Sequence, residues 1–195
     1  MANGLPYAIA AQVAFPKRQC VAFVGDGGFS MLMAEMSTAV KYELPIKVIV
    51  IKNNTLGQIK WEQMVFLGNP EYGVDMLPID HVKFAESVGA RGVRIEDPQR
   101  CRQQLAEALS TEGPVVIECV VDPNEPPMPA KIKPKQAKNL AEALARGDAH
   151  RGKIATTIFR DEVDEVTFEE SPAGVVSRVA DKLGGVIPGN GSKRE

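Results

Sequence analysis

The chain has 195 residues, 44% of them apolar, and a net charge of −2, which suits one globular domain of ordinary size with or without a tail. The near-neutral charge argues against binding to nucleic acid or to an anionic membrane surface, and no apolar run is long enough to span a bilayer. Only two histidines, His81 and His150, are present, so catalysis by a histidine-centred triad is poorly supplied.

Cysteine usage and the first residues bear on where the protein works. Cys20, Cys101 and Cys119 are odd in number and widely spaced. This is typical of free or buried thiols in a reducing compartment, and not of a disulfide framework or a zinc site. No basic segment precedes an apolar stretch at the start, so a secretory signal peptide is not predicted. We therefore expect a cytoplasmic protein.

Apolar runs alternate with helical patterns over the first two thirds of the chain. Helical spacing occurs at residues 5–13, 32–40 and 101–109, and the predicted strands are residues 21–24, 46–51, 92–95 and 115–121. Continuous β-branched runs suit strands that are buried on both faces of a parallel sheet. The alternation therefore predicts a doubly wound, mainly parallel α/β sheet with helices on both faces.

The sequence changes character from Asp122 onwards. Several prolines between residues 123 and 129 predict a stiff linker, helical patterns follow at 137–144 and 176–183, and the glycine-rich end is predicted to be disordered. We predict an α/β domain at 1–122, a linker and helix that complete it at 123–147, and a helical extension with a disordered tail at 148–195. Residues 171–183 carry too little cationic charge to favour membrane contact.

Polar residues follow two of the predicted strands. Residues 25–30, Gly-Asp-Gly-Gly-Phe-Ser, lie between the first strand and a helical pattern, and Asn53 follows the second strand. In an open parallel sheet, ligands bind beyond the carboxyl ends of the strands. Glycines and a helix N-terminus let backbone N–H groups approach a phosphate, whereas Asp26 would repel it unless a hard cation lay between them. Carboxylate, amide and carbonyl oxygens suit such a cation, so the pattern predicts a metal that joins Asp26, Asn53 and the Thr55 carbonyl to two phosphate oxygens.

Each motif also has a purely structural interpretation. Gly-Asp-Gly and Asn-Asn are both common in turns, and either one alone is explained more simply in that way. Their joint placement at successive strand ends favours the metal–diphosphate site. A dinucleotide-binding fingerprint is disfavoured, because Ser30 stands where the third glycine of Gly-x-Gly-x-x-Gly would be.

At these residues the sequence resembles the thiamine diphosphate (ThDP) enzymes, whose signature is Gly-Asp-Gly, about two dozen residues, and then Asn or Asn-Asn. The likeness extends over about residues 1–147. Residues 1–12 resemble the acetolactate synthase and pyruvate oxidase branch. Residues 126–132 and 135–138 look most like the pyruvate oxidase and quinone-dependent pyruvate dehydrogenase group. The resemblance implies a ThDP-binding fold that lacks its first strand.

The resemblance also implies a ligand set. In the family the metal-binding Asn follows the metal-binding Asp by 27 positions, which implies Asn53 and not Asn54 as the partner of Asp26. A carbonyl two residues later, here that of Thr55, is the third protein ligand, and Mg²⁺ is the ion. The implied cofactor-binding residues are Met1, Gly25, Asp26, Gly27, Gly28, Asn53, Thr55, Leu56, Gly57 and Gln58, and the implied metal ligands are Asp26, Asn53 and Thr55.

Met1 lies 25 positions before Asp26, where the family has a bulky apolar residue that wedges the cofactor into a V shape. A methionine with no such role is an equally good interpretation. The implied activity is decarboxylation of a 2-oxo acid, pyruvate in the first instance, with flavin and then quinone or oxygen as electron acceptor. Carboligation to acetolactate is the alternative.

Two parts of the family's catalytic centre have no counterpart in this sequence. The proton-relay glutamate belongs to a pyrimidine-binding domain, and FAD, where used, belongs to a middle domain. We therefore expect no catalytic residue here, no turnover by the isolated chain, and a pyrimidine-domain subunit or further N-terminal domains as partner in a homo-oligomer. A fragment is favoured over a split subunit, and a non-catalytic assembly module is the alternative from another class.

Other residues are interpreted as structural. His81 opens a helical pattern and is predicted to lie at the surface. Trp61 is predicted to pack, whereas most of the polar residues around it, within 58–63, are predicted to form a solvated helix face.

Overall fold

The computed structural model of the chain describes residues 1–125, 134–147 and 150–157. Its helices are α1 Gly4–Ala14, α2 Asp26–Ser30, α3 Met36–Lys41, α4 Gly57–Trp61, α5 His81–Ser87, α6 Pro98–Ser110 and α7 Pro134–Ala145, and its strands are β1 Val21–Gly25, β2 Lys47–Lys52, β3 Arg91–Ile95 and β4 Val115–Val120. A 3-10 turn at Met33–Glu35 precedes α3, and a π-helical turn at Glu62–Phe66 follows α4.

The four strands form one parallel sheet in the order β1-β2-β4-β3. β2 and β4 are the central pair, aligned from Lys47 opposite Val115 to Lys52 opposite Val120. Each central strand has a hydrogen-bonded neighbour on both sides and helices above and below, which explains its nearly continuous β-branched sequence. All four predicted strands are confirmed.

Different helices bury the two faces of the sheet. On one face Val48, Val50 and Val116 pack with residues of α1, α2, α3 and α5. On the other face Ile117 and the partly buried Ile49 pack with residues of α6. The predicted doubly wound α/β fold is therefore confirmed. At the edge strand β1, Phe23 is left 72% exposed.

Local sequence signals explain where the helices begin. α5 and α6 start after Asp80 and Asp97, whose carboxylates accept hydrogen bonds from the backbone N–H groups of Lys83 and Gln99. The helices predicted at 5–13, 101–109 and 137–144 are confirmed. The pattern at 32–40 is interrupted, because Leu32 leaves helical geometry at φ −134° and α3 begins only at Met36. The helix predicted at 176–183 lies outside the described residues.

The chain divides into two compact units. The first comprises Met1–Gly57 and Gly73–Pro123 and contains the whole sheet, and the second comprises Gln58–Tyr72 and Asn124–Glu195. The second unit has its own apolar cluster, formed by Trp61, Met64, Val65, Leu140, Ala143 and Ile154. The domain boundaries given above stay a prediction.

The predictions for the residues after Gly57 can be compared with the structure of the second unit. Trp61 is 3% exposed and packs as predicted. Lys60 does not belong to the solvated face predicted for most of its polar neighbours, because it is only 2% exposed. Its ammonium lies 2.9 Å from a carboxylate oxygen of Glu71, and this pairing offsets the cost of burying the charge. Among the described residues, no helix is long and apolar enough to cross a membrane.

Candidate functional site

Asp26 lies where β1 ends and α2 begins, and it is 5% exposed. Its carboxylate oxygen Oδ1 accepts a hydrogen bond from the N–H of Gly27 at 2.9 Å. The other oxygen, Oδ2, accepts from the backbone N–H groups of Asn53 and Asn54 at 3.2 and 2.7 Å. The two strand ends singled out in the sequence are therefore joined directly through this one carboxylate.

The loop after β2 is held in a specific turn. The side-chain Oδ1 of Asn53 accepts a hydrogen bond from the N–H of Thr55 at 3.1 Å, and Asn54 has a left-handed backbone with φ +54°. Asn tolerates that conformation better than most residues because its short polar side chain can bond locally. Asn54 thus has a conformational role, while the amide oxygen of Asn53 holds the backbone of the same turn.

Gly27 is needed because other chain segments approach it closely. A Cβ atom at this position would lie 2.8 Å from Cδ2 of Leu56 and 3.0 Å from Sδ of Met76. The first distance is shorter than real Cβ contacts and the second is tight, so a side chain here would push the ends of the Leu56 and Met76 side chains away. At Gly28 the nearest atom to such a Cβ would be the backbone nitrogen of Ala2, at 3.7 Å, which leaves ordinary contact space.

A segment far along the chain braces this loop. Thr55 and Asp75 form an isolated antiparallel bridge. The N–H of Leu56 donates to the carbonyl of Val74 at 2.9 Å, and the N–H of Met76 donates to the carbonyl of Asn54 at 3.0 Å. Residues 73–80, which we call the bracing segment, therefore order the candidate ligand loop.

The remaining predicted cofactor-binding residues to be located are Gly25, Gly57, Met1 and Gln58. Gly25 ends β1, and Gly57 packs so that a Cβ atom there would lie 3.0 Å from Nδ2 of Asn53. Met1 is 70% exposed. The backbone nitrogen of the next residue, Ala2, would lie 3.7 Å from a Cβ atom at Gly28. Gln58 belongs to the second compact unit, where its side chain donates to Glu62 at 3.1 Å.

The chemistry of the donor set fits a hard divalent cation. Asp26 supplies a carboxylate, Asn53 an amide oxygen and Thr55 a backbone carbonyl, which are the donor types that Mg²⁺ accepts alongside phosphate oxygens. Among the described residues there is no group of three or more His, Cys, Asp or Glu side chains that could hold a metal. The proposed set has oxygen donors only, whereas softer ions prefer imidazole or thiolate ligands. α2 is only five residues long, so local N–H groups, and not a long helix dipole, would face a bound anion.

A buried ionic cluster lies behind the bracing segment. The Glu118 side chain is fully buried, and its Oε2 accepts hydrogen bonds from the backbone N–H of His81 at 3.0 Å and from the His81 ring at 2.9 Å. Lys52 lies 3.2 Å from the same oxygen, and Nε of Arg94 lies 2.6 Å from Oε1. We call Glu118, His81, Lys52 and Arg94 the Glu118 cluster.

Protonation in this region follows from these contacts. Burial acts to raise the pKa of Glu118, but hydrogen bonds from the His81 backbone and from Arg94 outweigh it and hold that pKa below its ordinary value. The backbone N–H of Lys83, followed by the guanidinium of Arg94, lowers the pKa of Asp80 from 3.8 to about 2, although desolvation opposes them. Both carboxylates are therefore ionised near neutral pH.

The sequence interpretation of His81 is wrong. It was expected at the surface, but it is 1% exposed, with its ring edge-on to Phe29 at a centroid distance of 5.5 Å. The first residue of α5 is buried because the helix begins beneath a strand that carries a buried carboxylate. The available signal was Glu118 itself, since a charged residue within a continuous β-branched run requires a buried partner.

Acid should weaken the anchor at Asp80. Its pKa is lower in the folded protein than the ordinary 3.8, so its contribution to stability is present above that value and is lost as the pH falls towards about 2. We expect the difference in urea unfolding midpoint between the natural protein and Asp80→Asn to shrink over this pH range. A difference that stays constant from about pH 4 to about pH 2 would contradict the assignment.

Comparison with known proteins gives a consistent picture. The sequence model of the thiamine pyrophosphate enzyme C-terminal TPP binding domain matches residues 1–119. A "Putative thiamine pyrophosphate-containing protein YdaP" of Bacillus subtilis (strain 168) is 43% identical over 146 residues, which are 75% of this chain and 25% of that protein. The mitochondrial acetolactate synthase catalytic subunit of Saccharomyces cerevisiae is 35% identical over 129 residues, 66% of this chain and 19% of that subunit. This chain thus spans about a quarter or less of the length of these relatives.

The fold comparison agrees with the sequence comparison. The thiamine diphosphate-dependent 4-hydroxybenzoylformate decarboxylase of Rhodococcus jostii RHA1 superimposes with a TM-score of 0.58 and is 29% identical, over 63% of this chain and 23% of that one. The parallel four-stranded sheet and the match over residues 1–119 lead to the same assignment. The chain belongs to the family of C-terminal TPP binding domains of thiamine pyrophosphate enzymes and is the ThDP-binding domain of a ThDP-dependent enzyme.

Proposed function

We propose that this domain binds the diphosphate of ThDP through Mg²⁺ held by Asp26, Asn53 and the Thr55 carbonyl, in an enzyme that decarboxylates a 2-oxo acid. The observation that carries the proposal is the contact of the Asp26 carboxylate with the backbone of Asn53 and Asn54, which brings both strand ends to one point. Two hard-oxygen side chains and a carbonyl two residues beyond them suit a metal that also binds phosphate.

The residues of the loop have separate roles in this proposal. Asp26 supplies the negative charge that offsets the cation, and Asn53 and Thr55 add neutral oxygens. Gly28, where a Cβ atom would meet nothing closer than 3.7 Å, leaves space for backbone N–H groups to approach the diphosphate. The side chains of Leu56 and Met76 lie against Gly27. When bound, ThDP supplies a thiazolium that accepts the electron pair released as carbon dioxide leaves.

Two fates of the decarboxylated substrate remain as proposals. Residues 126–132 and 135–138 resemble the pyruvate oxidase group, which supports pyruvate as substrate and transfer of electrons to flavin and quinone. The relatives include acetolactate synthases of yeast and of Bacillus subtilis, the latter 39% identical over 118 residues, which supports carboligation. Product analysis of the assembled enzyme with pyruvate separates the two: reduced flavin or quinone in the first case, acetolactate in the second.

The binding proposal can be tested on the chain itself. We expect the ³¹P resonances of ThDP in the presence of Mg²⁺ to broaden or shift further when the protein is added, and the protein without Mg²⁺ to leave the resonances of metal-free ThDP unchanged. Calorimetric titration with thiamine, which has the same rings and no diphosphate, serves as the matched control and should give no metal-dependent heat. Equal binding of thiamine and ThDP, or no effect of Mg²⁺, would refute the metal-bridged site and favour a non-catalytic assembly module.

A further inference from the structure

We propose that the Glu118 cluster is a positioning device for the cofactor loop, acting through the bracing segment, residues 73–80. The cluster would set the geometry in which Asn53 and Thr55 present their oxygens, so Glu118, His81, Lys52 and Arg94 would be positioning residues without touching cofactor or substrate. The inference rests on the proposed function for its consequence in binding. Its structural part, the ordering of the loop, can be tested without any ligand.

Polar contacts with the sheet anchor the C-terminal end of the bracing segment. The ammonium of Lys52, in β2, donates to the carbonyl of Ile79 at 2.7 Å. Arg94, in β3, lies 2.8 Å from a carboxylate oxygen of Asp80. Glu118, in β4, accepts from the backbone of His81. Three consecutive residues are therefore tied to three different strands, and this end of the segment has one possible register on the sheet.

The other end of the bracing segment contacts the loop that contains Asn53 and Thr55. Leu56 and Met76 donate the two backbone hydrogen bonds that join the bracing segment to residues 54–56, and Oγ1 of Thr55 donates to the carbonyl of Val74 at 3.3 Å. Sδ of Met76 also occupies the space that a side chain at Gly27 would need. A shift of the anchored end would thus be transmitted to both strand-end motifs.

Lys52 links the Glu118 cluster to the loop more directly. This residue directly precedes Asn53 in the sequence, and its side chain reaches both Ile79 and Glu118. The direction in which the chain leaves β2 is therefore determined by the same carboxylate that holds the start of α5. Both the bracing segment and Lys52 therefore connect the Glu118 cluster to the loop that contains Asn53 and Thr55.

The charged and polar composition of the Glu118 cluster favours a role in positioning in addition to a contribution to stability. Well-packed apolar side chains of similar volume often stabilise a core as well as a buried ion pair does, because burying charge is costly. Directional hydrogen bonds, in contrast, favour one arrangement over near alternatives, as polar groups do in some other buried cores. Here Glu118 is fully buried, and Nε2 of His81 has no partner among the described residues. The arrangement thus carries an energetic cost that loop positioning would account for.

Hydrogen exchange on the full 195-residue chain tests the coupling. In Glu118→Gln we expect the amides of Leu56 and Met76 to exchange at least about tenfold faster, because their partners are no longer held in register. Amides of the central strands β2 and β4 should keep their protection relative to the global stability of the same variant. Glu86→Gln removes the same charge from an exposed position on α5 and should leave the amides of Leu56 and Met76 unchanged.

A milder variant covers the case in which Glu118→Gln does not fold. Arg94 is 37% exposed in its side chain, and Arg94→Gln removes its ion pairs to Asp80 and Glu118 while leaving Glu118 its other partners. It should raise exchange at the same two amides by a smaller factor. Unchanged exchange there in a folded variant, or an equal loss of protection throughout the sheet, would overturn the proposal.

Binding measurements separate this inference from the proposed function. If ThDP binds the natural protein with Mg²⁺, Glu118→Gln should weaken that binding by about 10- to 100-fold, the range typical of residues that orient metal ligands. If the natural protein does not bind ThDP while Leu56 and Met76 still respond, the proposed function fails and the positioning role stands. If it binds and the variant binds equally well, the positioning role fails.

Discussion

Replacing Asp26 with alanine should abolish the metal-dependent binding of ThDP. The substitution removes the one carboxylate of the proposed ligand set and also the acceptor for the N–H groups of Asn53 and Asn54. Loss of a residue that merely orients a metal ligand typically costs about 10- to 100-fold in affinity, so loss of the ligand itself should cost more than about 100-fold. Calorimetric titration of the variant with ThDP and Mg²⁺ provides the measurement.

Two further variants identify the cause of the loss at Asp26. Asp26→Asn keeps an oxygen that can accept from the loop amides, so it should retain more stability than Asp26→Ala while still losing metal-dependent binding. Asp97→Ala removes a capping carboxylate at the start of α6, which costs about 1 kcal/mol of stability, and should bind like the natural protein. If Asp26→Ala binds ThDP and Mg²⁺ with unchanged affinity, the metal is held elsewhere.

Replacing Phe29 with alanine should cause a large loss of stability. Phe29 lies three residues beyond Asp26 and is 1% exposed. Its ring meets the rings of His81 and Phe84 edge-on, at centroid distances of 5.5 and 6.3 Å. A buried Phe→Ala change leaves a cavity and costs about 3–5 kcal/mol, which is a large part of the total stability of an ordinary domain. Urea unfolding monitored by circular dichroism measures it.

Phe23 offers a matched control for this substitution. It is the same residue type in the same compact unit, but it is 72% exposed on the edge strand β1. Phe23→Ala should therefore cost less than about 1 kcal/mol, mainly through β-propensity. Similar losses for the two variants would mean that the cluster around Phe29 does not stabilise the unit in the way described.

Much of the fold could be predicted because burial repeats with a local period. The β-branched runs of β2 and β4 and the apolar spacing of α6 each lie within a few residues of chain. The same reasoning failed at Leu32, where an apolar pattern with helical spacing is interrupted by a single non-helical residue. Periodicity reports which side chains are buried, but it does not report whether the backbone between them stays helical.

The candidate site was predictable in part for a different reason. Parallel strands place their carboxyl ends at one edge, so Asp26 and Asn53 could be paired although they lie 27 positions apart. The role of Met76 could not be predicted in this way. It follows Gly57 by a segment without regular periodicity, and it approaches Gly27 only because the bracing segment runs back over the loop.

The sequence by itself therefore determined the parallel α/β class, the strand ends that carry Asp26 and Asn53, and the resemblance to ThDP enzymes, since each depends on neighbouring residues or on one fixed spacing. Only the tertiary structure decided that His81 is buried against Glu118, 37 positions away, and that Lys52, Arg94 and Glu118 converge on one turn. Contacts of this kind depend on the order of the strands in the sheet and on the path of the loops between them. No local pattern of residues encodes either property.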